Sequence, residues 1–455
     1  MFSVQFVWYP SDIILWGESG FLLFLVLMGC RKRYWREAGR KLLSQPLAVA
    51  TGCILLTYLV IALLDSIHFV PQIGWNTAHQ PLYAVNSESL LDRVLIPMST
   101  VKETSYSLPW ATHALNLTWH YNAQGVYKGH YAALHFRGLK HVGRATGKWL
   151  LLSGGIVGIG YLLCLAGLSV RWKRSWRMSH HLFWSGKTDL SCRTAFVTLS
   201  ILMALILFIP VFGFHYHLFG TDKIGTDVLY QAIKSIRTGV FIGSATLLFM
   251  LPLALVLGIS SGYYGGKIDD CIQYLYTTIS AIPNILLIVA AVLAIQIFFT
   301  IHSAFFTSIN QQADIKLLVL CAILGLTGWV GLCRLLRAET LKLREMDYVA
   351  VAKTLGVSSV SIMIRHILPN IIPLVLMTFL LDFSGLVLAE AILTYIGVGV
   401  DPSINSWGNM IDAARFELAR EPVVWWPLTA AFSFMFVFVL SLNFFGDGIK
   451  QTLDP

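Results

Sequence analysis

Charge is what this chain is short of. Asp, Glu, Lys and Arg supply 13% of its 455 residues while apolar types supply 56%, against roughly a quarter charged in soluble domains. That balance excludes a soluble globular protein and defines an integral membrane one. Cysteine is sparse and scattered: Cys30, Cys53, Cys164, Cys192, Cys271, Cys321 and Cys333 lie in or beside apolar runs, with no CxxC spacing. A disulfide framework and a zinc site are therefore not expected. A phosphate-cradling loop is missing too. The nearest string, "HLFWSGKTD", has Gly186-Lys187-Thr188 but His181 where the first glycine belongs, so no ATP hydrolysis is expected of this chain itself. There is no internal repeat or low-complexity linker. The first apolar run ends in a basic block rather than a small-residue cleavage site, which reads as a retained helix.

What the sequence does have is nine apolar runs near the ~20 residues a bilayer core demands, at about 12–30, 46–68, 150–170, 194–214, 240–262, 272–299, 316–335, 371–397 and 426–446. The net charge of +9 falls in short clusters beside these runs, a topogenic pattern rather than a nucleic-acid surface. "RKRYWREAGRK" (31–41) carries six Lys or Arg and "RWKRSWR" (171–177) four, and Arg337, Lys342 and Arg344 follow the seventh run. All three clusters are placed in the cytoplasm when nine helices alternate from an outside N-terminus to an inside C-terminus. Residues 71–148 then form an extracytoplasmic insert whose aromatics can support a small fold, of a kind the sequence does not name. "FGTDKIGTDVLYQAIKSIRTG" (219–239) opens with turn glycines and capping aspartates, Asp222 and Asp227. It continues as a stripe of Val228, Leu229, Ala232 and Ile236, which reads as an interfacial helix. The chain divides near residue 185 into a three-helix extension, 1–184, and a six-helix unit, 185–455.

"YVAVAKTLGVSSVSIMIRHILPN" (348–370) interrupts this apolar pattern. The stretch before it, "RAETLKLREMDYVAVAKTL", is a good helix former that Gly356 stops, since glycine takes the left-handed conformation at a helix end without steric cost. Ser358 or Ser359 then caps a second short helix with Val360, Met363, Ile364 and Ile367 on one stripe. Pro369 is expected to end that helix by driving Leu368 out of the α region. Two short helices joined at a bend can plug into a groove on another protein. An ordinary amphipathic juxtamembrane loop has the same pattern.

The stretch resembles the EAA loop of C-type permeases in dipeptide, oligopeptide and nickel ABC importers, through Tyr348, Val349, Ala352, Leu355, Gly356 and the run Arg365 to Asn370. "FGTDKIGTDV", "GYYGGKIDD" (262–270), "LAEAILTYIGVGVDPSINSWGNMI" (388–411) and "NFFGDGIKQTLDP" (443–455) resemble further motifs of that family, in the same order. Ala350 stands where many EAA loops carry glutamate. The resemblance implies an all-α membrane protein: a six-helix type I importer core plus the N-terminal extension, in a bacterial inner membrane. It implies import of peptides or related small nutrients. The expected partners are a second homologous permease, two cytosolic ABC ATPases and an extracytoplasmic substrate-binding protein, besides membrane lipid. Nucleic acid is not expected. ATP and Mg belong to the ATPases, and no cofactor or catalytic residue is expected on this chain. Glu345, Asp347, Tyr348, Ala352, Leu355, Gly356, Arg365, His366 and Pro369 form the expected ATPase-coupling loop.

Asp382 and Glu390 lie within an apolar run, where a carboxylate either lines a translocation path or pairs with another helix. His215-x-His217 and His180-His181 have no carboxylate or thiol at ligand spacing, so no metal is expected. Two rival readings remain. In an ion-coupled secondary transporter Asp382 and Glu390 would be the coupling sites, although inverted repeats and broken helices are not evident. The other rival is a membrane-anchored interaction protein that acts through the 71–148 block.

Overall fold

A computed structural model describes residues 4–75, 81–84, 87–121, 127–136, 138, 142–172, 176–185, 191–302 and 308–453. A short strand, β1 (Val4–Val7), leads into α1 (Pro10–Gly29), α2 (Arg33–Ser44) and α3 (Pro46–Asp65). The insert follows as β2 (His68–Trp75), β3 (Pro81–Tyr83), β4 (Glu88–Ser89), α4 (Leu90–Val94), α5 (Ile96–Thr100), β5 (His113–Tyr121) and β6 (Tyr127–Ala133). Helices α6 (Val142–Trp172), α7 (Trp176–Ser185) and α8 (Cys192–Phe208) come next, the last running into a π-helical turn, Ile209–Gly213. The remainder is α9 (Val228–Tyr264), α10 (Gly266–Ser280), α11 (Asn284–Ile301), α12 (Ile309–Arg344), α13 (Asp347–Thr354), α14 (Ser359–Ile362), a π turn (Met363–Ile367), α15 (Leu368–Tyr395), α16 (Trp407–Glu417) and α17 (Trp426–Leu453). Among the described residues nine helices are long and apolar enough to cross a membrane, and they fall on the nine apolar runs.

Three local expectations need correction. The run 272–299 is not one helix, because α10 stops at Ser280 and α11 starts at Asn284. Pro283 breaks it by restricting the backbone before it. Residues 228–239 lead into the next span as expected, but they are not interfacial. They are the first turns of the 37-residue α9, and Val228, Leu229, Ala232 and Ile236 are buried in protein rather than turned to lipid. Thirdly, α12 ends at Arg344 and α13 begins afresh at Asp347, with Met346 extended between them.

The chain forms two compact units, each drawn from separated stretches. The first takes 1–8, 25–238 and 405–448. Here β2 is the hub of a small antiparallel sheet, pairing with β1, β3 and β4, while β5 and β6 form a separate hairpin. Helix α3 packs closely on α17: a Cβ at Gly448 would sit 2.7 Å from that of Ala48, and Tyr58 donates to the Phe434 carbonyl at 3.0 Å and stacks on Phe438. Buried indoles fix loops to this core, Trp407 donating to the Ala232 carbonyl and Trp426 to that of Thr221. The second unit takes 9–24, 239–404 and 449–455. Its core is a close crossing of α9 with α12 and α15. A Cβ at Gly325 would meet the Thr246 carbonyl at 2.7 Å, and one at Gly243 would overlap the Phe383 ring. Small residues at such crossings let helices approach where lipid offers no hydrophobic drive.

Candidate functional site

The polar stretch that interrupts the apolar pattern is built on a helix pair. Near the end of α9, a Cβ at Gly258 would lie 2.9 Å from the Cys333 carbonyl, and one at Gly262 would lie 2.7 Å from the Arg337 carbonyl. Glycine there is a steric requirement of the α9–α12 contact. Arg337 on α12 reaches the first turns of α10 and grips Asp269 through two 2.6 Å hydrogen bonds, while Ser261 and Gln273 also donate to that carboxylate. The hydrogen bonds from Arg337, aided by Ser261, hold the Asp269 carboxyl down at about 2. Within "GYYGGKIDD" no pattern by itself assigns Asp269 a role. Its signal is an aspartate one helical turn after a turn glycine.

Helix α13 hangs from this frame. Arg344 donates to the Tyr263 carbonyl at 3.4 Å, and Lys353 Nζ lies 5.1 Å from the Tyr263 ring centroid, a cation–π contact. Val349 and Ala352 on α13 are buried, as are Ile362 and Ile367 farther on. At the bend Gly356 has φ +75 and closes a full Schellman motif, with Val357 N–H on the Ala352 carbonyl and Gly356 N–H on that of Lys353, as the left-handed cap demands. Ser358 accepts from Ser361 N–H and starts the next helix.

Pro369 does not end that helix. Leu368 is helical (φ −53, ψ −44), and the axis continues through the π turn Met363–Ile367 into α15. The wider turn removes the clash between a proline ring and the carbonyl four residues back, and proline has no N–H to leave unpaired there. Asn370 Nδ2 donates to the His366 carbonyl and to the Tyr348 hydroxyl, tying α13 to the base of α15.

The other face of the bend is open. Tyr348 and Val351 on α13 and Leu355 at its C-cap, then Val357, Val360 and Ile364 beyond it, are exposed, Leu355 to 76%. Each trio follows helical spacing, so the exposed residues form two apolar stripes flanking Gly356. Glu345, Asp347, Arg365 and Pro369 are exposed around them, His366 is half-buried, and Arg365 has no acidic partner among the described residues. Of the expected coupling residues, Ala352 alone faces inward.

Asp382 and Glu390 both lie on α15. Asp382 is half-buried. Glu390 is buried and accepts from Thr394 Oγ1 at 2.9 Å, and Thr394 in turn accepts from Val400 N–H, so this carboxylate stitches the helix end to the next turn. A third membrane carboxylate, Glu18 on α1, was not singled out from sequence; both of its oxygens are buried.

The expectation that no carboxylate meets His215-x-His217 is corrected. His217 Nδ1 lies 2.7 Å from Asp227 and Nε2 lies 3.4 Å from Glu103, all three side chains being buried. Both ring nitrogens are occupied, and among the described residues no His, Cys, Asp and Glu grouping has a metal-site arrangement. Gly186-Lys187-Thr188 lie outside the described residues.

The described residues thus form a polytopic helical protein that ties one face of a bent segment to its helix ends and leaves the other face bare. Residues 254–455 match the family of binding-protein-dependent transport system inner membrane components, and the chain belongs to that family, a multi-pass inner membrane protein rather than a catalytic subunit. It is 30% identical over 240 residues to the oligopeptide transport system permease protein OppC of Haemophilus influenzae, covering 53% of this chain and 70% of that one. The OppC of Bacillus subtilis is 28% identical over 52% of this chain and 72% of its own. The dipeptide transport system permease protein DppC of Lactococcus lactis is 31% identical over 52% and 64% respectively.

Proposed function

We propose that the chain is the permease subunit of an ATP-driven importer of di- or oligopeptides or related small nutrients. It forms the translocation path with a second, homologous permease. Two cytosolic ATPases, which hold the ATP and Mg, dock on residues 345–369, and an extracytoplasmic binding protein delivers cargo. The carrying observation is the two-faced bend. One face buries Val349 and Ala352 and meets Tyr263 of α9 through Lys353 and the preceding Arg344, and the other offers Tyr348, Val351, Leu355, Val360 and Ile364 to solvent. Closure of the ATPases then pushes a segment continuous with α15, and a rigid-body tilt switches the cavity between its two openings. The names of the relatives support the peptide class.

Sidedness follows from counting nine crossings. Hydrogen bonds support the count, because within each unit they join segments that alternation puts on one side: Ser191 with Leu43 and Ser44, Ser107 with Thr221, and Lys316 with Asp401. The positive clusters make the side of 31–41 and 345–358 cytoplasmic, which sets the N-terminus outside and the C-terminus inside. Residues 1–184 are the extension and 185–455 the transport core on this reading, with Asp382 and Glu390 near the substrate path.

Affinity purification of the tagged chain in mild detergent, with Leu355→Asp beside it, tests the docking. A P-loop ATPase and a second permease should accompany the native chain, and the variant should lose the ATPase while keeping the permease. An unchanged ATPase yield with the variant would remove the bend from the interface.

A further inference from the structure

We propose that α2 is a headgroup-binding helix for anionic phospholipid. This goes beyond the transport reading and lies outside the region that matches the family, 254–455.

At 100° per residue α2 sorts cleanly. Arg33, Arg36, Glu37, Arg40, Lys41 and Ser44 occupy one arc and Tyr34, Trp35, Ala38, Gly39 and Leu42 the other. The apolar arc is half-covered by the protein: Trp35 lies against Gly29, and Leu42 approaches Gly448 on α17. The polar arc is wholly exposed. Six cations in 31–41 face one acid, Glu37, whose carboxylate is taken by Arg33 at 2.8 Å. Arg31, Lys32 and Lys41 have no acidic partner among the described residues.

Position identifies the occupant. Three residues (30–32) separate α2 from α1, and one, Gln45, separates it from α3. Both neighbours are long and apolar enough to cross a membrane. A helix pinned this tightly between two spans is held at the bilayer surface, with its cations at headgroup level. Tyr34 and Leu43, each about half exposed, flank the cationic arc, where amphipathic side chains reach the acyl boundary. A basic block beside a span also sets topology, but topology needs charge alone. Presenting that charge on one face of a packed helix is what a lipid surface uses.

The test is hydrogen–deuterium exchange of residues 33–44 in the full-length protein, in nanodiscs of phosphatidylcholine alone or with phosphatidylglycerol added. The amides should exchange at least about fivefold more slowly with the anionic lipid, the factor expected for one engaged cation. Protection should vanish in about 0.5 M NaCl, where screening is nearly complete, and in the R31Q/K32Q/K41Q triple variant. It should persist in Arg31→Lys, and exchange in α3 should stay unchanged throughout. Equal rates in the two lipids would overturn the proposal. So would protection reproduced by inorganic phosphate in phosphatidylcholine, or protection that appears only when a purified ATPase is added.

Discussion

Single residues around the bend separate docking from folding. Leu355 is 76% exposed, so Leu355→Asp should change stability by no more than about 0.5 kcal/mol while abolishing ATPase recovery. Val349 is fully buried, and Val349→Asp places a carboxylate in an apolar seam. Its thermal midpoint in detergent should fall by several degrees, with aggregation instead of uncoupling. Gly356 was legible from sequence because only a left-handed residue closes this cap. The inward orientation of Ala352 was not, since helical spacing gives a stripe but not which stripe meets protein. Asp269 supplies the pH dependence here. Its carboxyl sits at about 2, against an ordinary 3.8, so the Arg337 pair contributes fully above pH 4 and is lost as pH falls through about 2. Between pH 5 and 8 it should leave the thermal midpoint unchanged. Asp269→Asn should lower it at neutral pH by an amount equivalent to about 1–3 kcal/mol, and differential scanning fluorimetry reads both.

Elements were more legible than their joints. Apolar length located the nine long helices, because lipid enforces internal hydrogen bonding and so a helix. The joints escaped for local reasons. Pro283 splits one apolar run, whereas Pro369 does not end a helix because a π turn absorbs it. Strand β2 was missed because it carries Pro71 and Gly74, and its partner β1 lies more than sixty residues earlier, a pairing no local pattern shows. The α9–α12 crossing carries its own expectation. A side chain at Gly262 would meet the Arg337 carbonyl and Thr340 Cβ within 2.7 Å, so Gly262→Leu should cost on the order of 1–3 kcal/mol. Yield and thermal midpoint should fall, and the neighbouring Gly266→Ala, where no heavy atom lies within 4 Å, is the comparison for backbone strain alone.

For the molecule as a whole, residues 25–184 are built into the first unit together with 185–238 and 405–448, and residues 9–24 belong to the second. Lys234 on α9 bonds both Asp92 oxygens at 2.7 Å and lies 3.9 Å from Asp65, while Ser89 bonds Asp65 and Tyr230 bonds Asp92. Burial raises the Asp92 carboxyl, but Lys234, with Ser89 and Tyr230, holds it below its ordinary range. That contribution is complete at neutral pH and fades only below the carboxylate range. Deleting 1–184 would remove both acids and the Tyr58 stack on Phe438, so the remaining chain is expected to accumulate poorly in membranes, read by immunoblot against the full chain. The proposed coupling has ATP hydrolysis on partner subunits drive transport through the bend. Its most direct measurement is peptide uptake by proteoliposomes holding the purified complex, with the binding protein and peptide outside and either ATP or an imposed ion gradient supplied. Uptake should require ATP, ignore collapse of the gradient, and disappear in Gly356→Pro while ATP hydrolysis continues. Uptake driven by the gradient with no ATP present would contradict the account and turn attention to Asp382 and Glu390 as ion-coupling sites.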